Sequence, residues 1–148
     1  AILDVRANRG ANGIDGQLST WLGATIAADD AWGVFGDLTT LYDLSAPVLL
    51  EQAGGRRRVL AVINNGGGRI FERLPRMRGV DGDAADVMAN AHAHRFEDWA
   101  RMWGADHQRV ESAATFDFEP GEGVSVLEVC PDRRQTAEFW SAYEQLGR

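Results

Sequence analysis

A single cysteine, Cys130, leaves the chain with no possible internal disulfide, so packing and hydrogen bonding must hold the core. Cys130 follows directly on the apolar run Val124 to Val129 and reads as a small core residue, not a nucleophile. No apolar stretch approaches the ~20 residues needed to cross a bilayer. No leader with a basic start and an apolar centre is visible either, which makes a cytoplasmic protein the default expectation. The initiator methionine is also missing, because the chain opens on Ala-Ile-Leu-Asp-Val; a fragment of a longer protein is expected. No repeat, low-complexity tract or linker divides the 148 residues, and that predicts one domain. Positive charge is scarce, with 15 basic against 22 acidic residues and a formal charge of −7, which argues against a nucleic-acid footprint. The dense basic run Arg56-Arg57-Arg58 reads as a solvated turn.

Short apolar segments alternate with amphipathic ones. Val59-Leu60-Ala61-Val62-Ile63, bounded by arginines and by Asn64-Asn65-Gly66-Gly67-Gly68, has the continuous apolar character of a buried parallel strand. Gly33-Val34-Phe35 reads as a second such strand, stopping at Gly36-Asp37. Asp43 is placed to cap a helix with Pro47 in its first turn, where proline is tolerated, which leaves Leu38 to Tyr42 as a loop. Polar groups therefore follow the carboxyl ends of two strands, the place where open α/β sheets bind ligands. Asp37 and Asn65 both offer side-chain oxygens there, and the flexible Gly66-Gly67-Gly68 backbone can offer a carbonyl. Oxygen donors of this kind suit Mg²⁺, with Mn²⁺ as a substitute, and Mg²⁺ usually arrives with substrate phosphates.

Gly36-Asp37, a spacer and Asn64-Asn65 resemble the thiamine-diphosphate (ThDP) signature, usually written Gly-Asp-Gly, a spacer, then Asn-Asn. Leu38 departs from the last glycine of that pattern. Together with Asn8-Arg9-Gly10-Ala11-Asn12-Gly13-Ile14-Asp15-Gly16, Leu41-Tyr42-Asp43-Leu44 and Arg69-Ile70-Phe71, the chain resembles one ThDP family, the SEPHCHC synthases of the menaquinone pathway, where leucine is the usual variant. The resemblance is strongest from Asn8 to Pro75 and collinear to the end. It implies an α/β fold, a parallel sheet flanked by helices that forms the diphosphate-binding domain, entered after its usual first strand and helix.

The resemblance further implies a site. Asn12, Gly13, Ile14, Gly36, Asp37, Leu38, Thr39, Asn65 and Gly67 would meet the cofactor, with Asp37, Asn65 and Gly67 on the metal. Ile14 would wedge under ThDP and hold it bent. Gly10, Gly13 and Gly16 also fit an ordinary connecting turn. Arg9 would bind a substrate carboxylate, against the alternative of a surface arginine paired to an acidic neighbour. Ile70, Phe71 and Leu74 would line the substrate pocket, although their helical spacing equally suits core packing. The implied substrates are 2-oxoglutarate and isochorismate. The implied partner is the pyrimidine-binding domain of a second subunit, whose glutamate starts the proton relay, in a homodimer or tetramer; the isolated chain is expected to be inactive. An acetolactate-synthase-like enzyme and a non-catalytic domain of the same fold are the alternatives.

Elsewhere, Ile2 to Val5 reads as a strand beside Val34, and Asp15 as the cap of a helix carrying Leu18, Trp21, Leu22, Thr25 and Ile26 on one face. Arg76 to Ala91 reads as a mobile loop. Phe96, Trp99, Ala100 and Trp103 follow helical spacing and should be core, ended by Gly104. His92 and His94 lack the companions of a zinc set and are assigned to surface or loop. His107 to Val110 and Val124 to Val129 read as strands, and Asp132 with Gln135 as a capping box for a terminal helix. Thr115 to Gly123 is expected to be loop.

Overall fold

The computed structural model describes residues 4–8, 13–74, 77 and 79–146. Four parallel strands form one sheet in the order β1-β2-β4-β3, with β1 Asp30–Gly36, β2 Arg57–Ile63, β3 Asp106–Val110 and β4 Val124–Val129. Among the described residues five α-helices accompany them: α1 Gln17–Ala24, α2 Asp37–Leu41, α3 Gly82–Ala89, α4 Glu97–Met102 and α5 Arg133–Leu146. Parallel neighbours need crossovers, and the helices supply much of them.

The apolar run after the arginines is the central strand: Val59, Leu60 and Val62 are fully buried, and β2 is flanked by β1 and β4. The larger core lies on one face of the sheet, where Leu18 and Leu22 of α1 and Phe96 and Ala100 of α4 pack on Leu60, Val62 and Val126. The opposite face holds only a small cluster of Ala61, Val110 and Leu127 with Phe118 and Val129. β1 is accordingly buried on one side alone, with Trp32 and Val34 exposed. It is an edge strand and not the fully buried strand expected. Gly33 is needed where it stands, since a Cβ there would meet the Phe35 ring at 2.4 Å and Trp21 at 2.9 Å.

Several local expectations are corrected. Leu38 to Tyr42 is not loop: α2 starts at Asp37, Thr40 Oγ1 donates back to the Gly36 carbonyl at 3.0 Å, and the Tyr42 N–H donates to the Leu38 carbonyl. Asp43 does not cap the helix that follows it: its carboxylate accepts the N–H and hydroxyl of Ser19 at 2.8 and 2.9 Å, satisfying a free donor in the first turn of α1 and tying α2's exit to it. Pro47 does sit at the start of the following helix, a 3₁₀ helix from Ala46–Ala53. Asp15 gives no side-chain cap to α1, whose N-cap is Gly16 in the left-handed region at φ 69°. Asp4 and Val5 form no strand, and Ile2 lies outside the described residues. Arg76 to Ala91 contains α3, closed by Asn90 at φ 48°; its glycine and acidic residues mask an alanine-rich helix whose only buried residue is Ala89.

Arg58 is the largest correction to the solvated turn. It is fully buried, and its guanidinium donates to the carbonyls of Thr25, Ala28 and Arg57 at 2.5, 2.8 and 2.8 Å. These include carbonyls freed at the end of α1, which lack intrahelical donors. Burial lowers the Arg58 pKa from its ordinary value, yet a guanidinium keeps its proton in proteins. Other expectations stand: α4 carries Ala100 in the core after a buried Phe96, Gly104 follows at φ 66°, and Gln135 N–H donates to Asp132 Oδ1 at 2.8 Å at the start of α5. Among the described residues no helix is long and apolar enough to cross a membrane.

Candidate functional site

β1 and β2 are in register, with Gly36 opposite Ile63, so Asp37 and Asn64-Asn65 emerge side by side. Asp37 is 3% exposed. Its Oδ1 accepts the Leu38 N–H at 2.7 Å, and its Oδ2 accepts the N–H groups of Gly66 and Gly67 at 2.8 and 2.9 Å. The carboxylate thereby fixes the glycine turn that follows β2. The turn demands glycine at position 67, where φ is 130° and a Cβ would lie 2.6 Å from the Ala89 carbonyl.

The end of the Asn65 side chain lies 3.3 Å from Asp37 Oδ2 and 2.6 Å from the Gly67 carbonyl oxygen. Turned with its NH₂ inward it donates to both. Only with its oxygen turned inward would it offer a third oxygen to a cation placed there. Asp37, Asn65 and Gly67 are thus brought to one point, and their donors are the hard oxygens that suit Mg²⁺. Among the described residues no three His, Cys, Asp or Glu side chains gather at one place, so this mixed set of carboxylate, amide and carbonyl is not a zinc-type cluster.

The other expected site residues divide. Gly36, Leu38 and Thr39 adjoin Asp37 at the start of α2. Gly13 and Ile14 lead into α1, which packs against α2, and Ile14 is partly exposed. Arg9 and Asn12 lie outside the described residues, as do Gly10 and Pro75. Ile70 and Phe71 sit in a 3₁₀ helix from Arg69–Arg73 and are exposed, Ile70 to 73%, and Leu74 closes it. Core packing is therefore removed for Ile70, while a pocket-lining role is left open. A cavity of about 530 Å³ between the ends of β3 and β4 and α5, lined by Val110, Phe116, Cys130 and Phe139, shares no residue with this cluster. Burial raises the Cys130 thiol pKa, consistent with an inert half-buried thiol.

Residues to which the sequence assigned no site role surround the site. Arg69 donates to the Gly66 carbonyl at 3.1 Å and pairs with Glu72 at 2.8 Å. His92, assigned to surface or loop, lies in the loop after α3, but its side chain is only 7% exposed, with Nε2 3.4 Å from Asp37 Oδ2. Asn64 donates to the His94 carbonyl at 2.9 Å and to Glu128 Oε1 at 2.5 Å. Glu128 is fully buried; burial pushes its pKa up, but bonds from Asn64, His107 and the Phe96 N–H together hold it below the usual glutamate range. In the sequence only the places of Asn64 beside Asn65 and of Arg69 beside Ile70 hinted at this.

The architecture defines a class first. A parallel sheet flanked by helices is also the fold of a thiamine diphosphate-dependent 4-hydroxybenzoylformate decarboxylase from Rhodococcus jostii RHA1, which matches 76% of this chain and 22% of its own at a TM-score of 0.56 and 18% identity. The sequence relationship is narrower. The chain is homologous to 2-succinyl-5-enolpyruvyl-6-hydroxy-3-cyclohexene-1-carboxylate (SEPHCHC) synthases: 41% identical over 139 residues to that of Akkermansia muciniphila, 38% over 145 to that of Bdellovibrio bacteriovorus and 37% over 140 to that of Yersinia enterocolitica. These alignments cover 92%, 97% and 90% of this chain but 26%, 26% and 24% of the relatives, so the chain spans about a quarter of their length. No family model matches.

Proposed function

We propose that this chain is the diphosphate- and metal-binding part of a ThDP-dependent SEPHCHC synthase, acting on 2-oxoglutarate and isochorismate in the menaquinone pathway. The convergence of Asp37 Oδ2, the Asn65 side chain and the Gly67 carbonyl at the ends of two adjacent strands carries this reading. Mg²⁺, or Mn²⁺ in its place, would be held there, and the first turn of α2 with Gly36, Leu38 and Thr39 would face the cofactor diphosphate. Bound ThDP supplies the electron sink for decarboxylating a 2-oxo acid. The chain's own residues bind and orient: Asn12, Gly13 and Ile14 against the cofactor, Arg9 on a substrate carboxylate, and exposed Ile70 and Phe71 with Leu74 along the substrate. A pyrimidine-binding domain from a partner subunit would complete the site in a cytoplasmic homodimer or tetramer.

Asn65→Ala in the whole enzyme is the test. Asp37→Ala is less clean than its ligand role suggests, since it also strands the Gly66 and Gly67 N–H groups, at about 1–3 kcal/mol for each buried unsatisfied group. Asn65 is exposed, so its loss is expected to spare the thermal midpoint of the metal-free protein. It should weaken retention of ThDP at limiting Mg²⁺ by at least tenfold in calorimetric titration. Unchanged retention would remove the metal assignment.

A further inference from the structure

His92 lies on the segment that leaves α3, and that segment packs on the glycine turn. The Gly68 N–H donates to the Ala89 carbonyl at 2.6 Å, and the His92 N–H donates to the Gly66 carbonyl at 3.3 Å. The segment is anchored from below as well. Fully buried Glu128 accepts from Asn64, and Asn64 donates to the His94 carbonyl. Glu128 also accepts the Phe96 N–H at 3.3 Å, which pins the segment's far end. The position of His92 is therefore set from both sides.

The ring's own contacts fix its proton. Nδ1 accepts the N–H of His94 at 3.2 Å, so in the neutral imidazole the hydrogen is on Nε2. The His94 ring stacks on His92, with centroids 5.2 Å apart. Nε2 is buried and has no hydrogen-bond partner among the described residues. It nevertheless lies 3.4 Å from Asp37 Oδ2, with side-chain exposures of 7% and 4%. A buried N–H without an acceptor is costly, and the acceptor within reach is this carboxylate.

We propose that His92 is a positioning residue of the metal site: its Nε2–H engages the Asp37 carboxylate and, with the Gly66 and Gly67 N–H groups, holds Asp37 in the orientation that presents it to the cation. The inference rests on the metal assignment of the preceding section. It adds a side chain distant in sequence that reaches the cation through Asp37. Groups that orient a metal's ligand in this way commonly cost about 10–100-fold in metal affinity when removed.

The experiment compares His92→Gln with His92→Asn in the whole enzyme, because a glutamine amide nitrogen stands near the position of Nε2 whereas an asparagine amide reaches only to that of Nδ1. Free Mn²⁺ is counted by electron paramagnetic resonance in the presence of saturating ThDP. Thermal midpoints are measured without metal or cofactor. His92→Asn is expected to lose about 10–100-fold in Mn²⁺ affinity, His92→Gln to recover most of it, and the two midpoints to agree. Equal Mn²⁺ affinity in wild type and His92→Asn, with Asn65→Ala still impaired, overturns the role of His92 alone. Equal affinity in all, Asn65→Ala included, overturns the metal assignment and this inference with it. Loss in both His92 variants alike, tracking their midpoints, also overturns it, since that is the mark of a merely structural histidine.

Discussion

Gly67 shows how closely the backbone of the site is specified. Its φ of 130° belongs to a region that L side chains rarely adopt, and an added Cβ would meet two carbonyls, Ala89 at 2.6 Å and Asn90 at 3.0 Å. Backbone groups cannot swing aside as side-chain ends do. Gly16 is a useful contrast: its φ is 69°, but a Cβ there meets nothing within 4 Å. Gly67→Ala is expected to cost about 1–3 kcal/mol in strain before any clash is counted, and Gly16→Ala about 1–2 kcal/mol. Chemical denaturation of both variants checks the order, and an equal or smaller loss for Gly67→Ala would mean the turn relaxes freely. That Asp37 and Asn65 would meet at adjacent strand ends was legible in the sequence, because a spaced pair of short motifs survives without knowledge of the fold. His92 was not, because nothing on its own segment reveals that it meets Asp37, more than fifty positions earlier.

At the scale of elements, legibility followed burial pattern. β2 declared itself by five consecutive apolar residues, and α4 by its helical period. α2 has only five residues, too few for a period, and its first donor is used by the Asp37 side chain. Arg58 misled for a plainer reason, since a charged residue in a run of three reads as surface, while its guanidinium reaches from the start of β2 to carbonyls beyond the end of α1. That role gives a prediction. Arg58→Met keeps the volume and apolar stem but removes the guanidinium's bonds to these carbonyls, of which that of Thr25 keeps the Ala28 N–H, so stability should fall by about 1–3 kcal/mol for each carbonyl left buried and unsatisfied. Arg58→Lys should be intermediate, because a point-charge ammonium cannot spread over three carbonyls as the planar fork does. Urea titrations of the three proteins measure this, and a loss under about 1 kcal/mol for Arg58→Met, the scale of an exposed ion pair, would show that water replaces the guanidinium.

For the whole molecule, three strands and α4 are tied together by one buried carboxylate. Glu128 on β4 accepts from Asn64 after β2, from His107 on β3 at 2.9 Å and from Phe96 at the start of α4. Four elements thus meet on a group that no sequence pattern singled out, since a lone acid inside Val124 to Val129 interrupts the apolar run without explaining itself. Burial raises its pKa, but the three bonds outweigh burial and leave the folded value below that of the unfolded chain. The sign follows. The unfolded state takes up the proton at higher pH than the folded state, so stability rises with pH across the interval between the two values. The contribution of Glu128 is complete above the unfolded glutamate value of about 4.3 and is lost as pH falls through the depressed folded value. Glu128→Gln removes this titration while keeping most of the shape. The wild type is expected to be more stable than the variant at neutral pH and to lose that advantage steadily on acidification below about pH 4.3, so that their thermal midpoints converge. Midpoints measured at half-unit intervals from neutrality downward decide the matter: a constant gap at every pH would show that Glu128 carries no proton linkage and acts through packing alone.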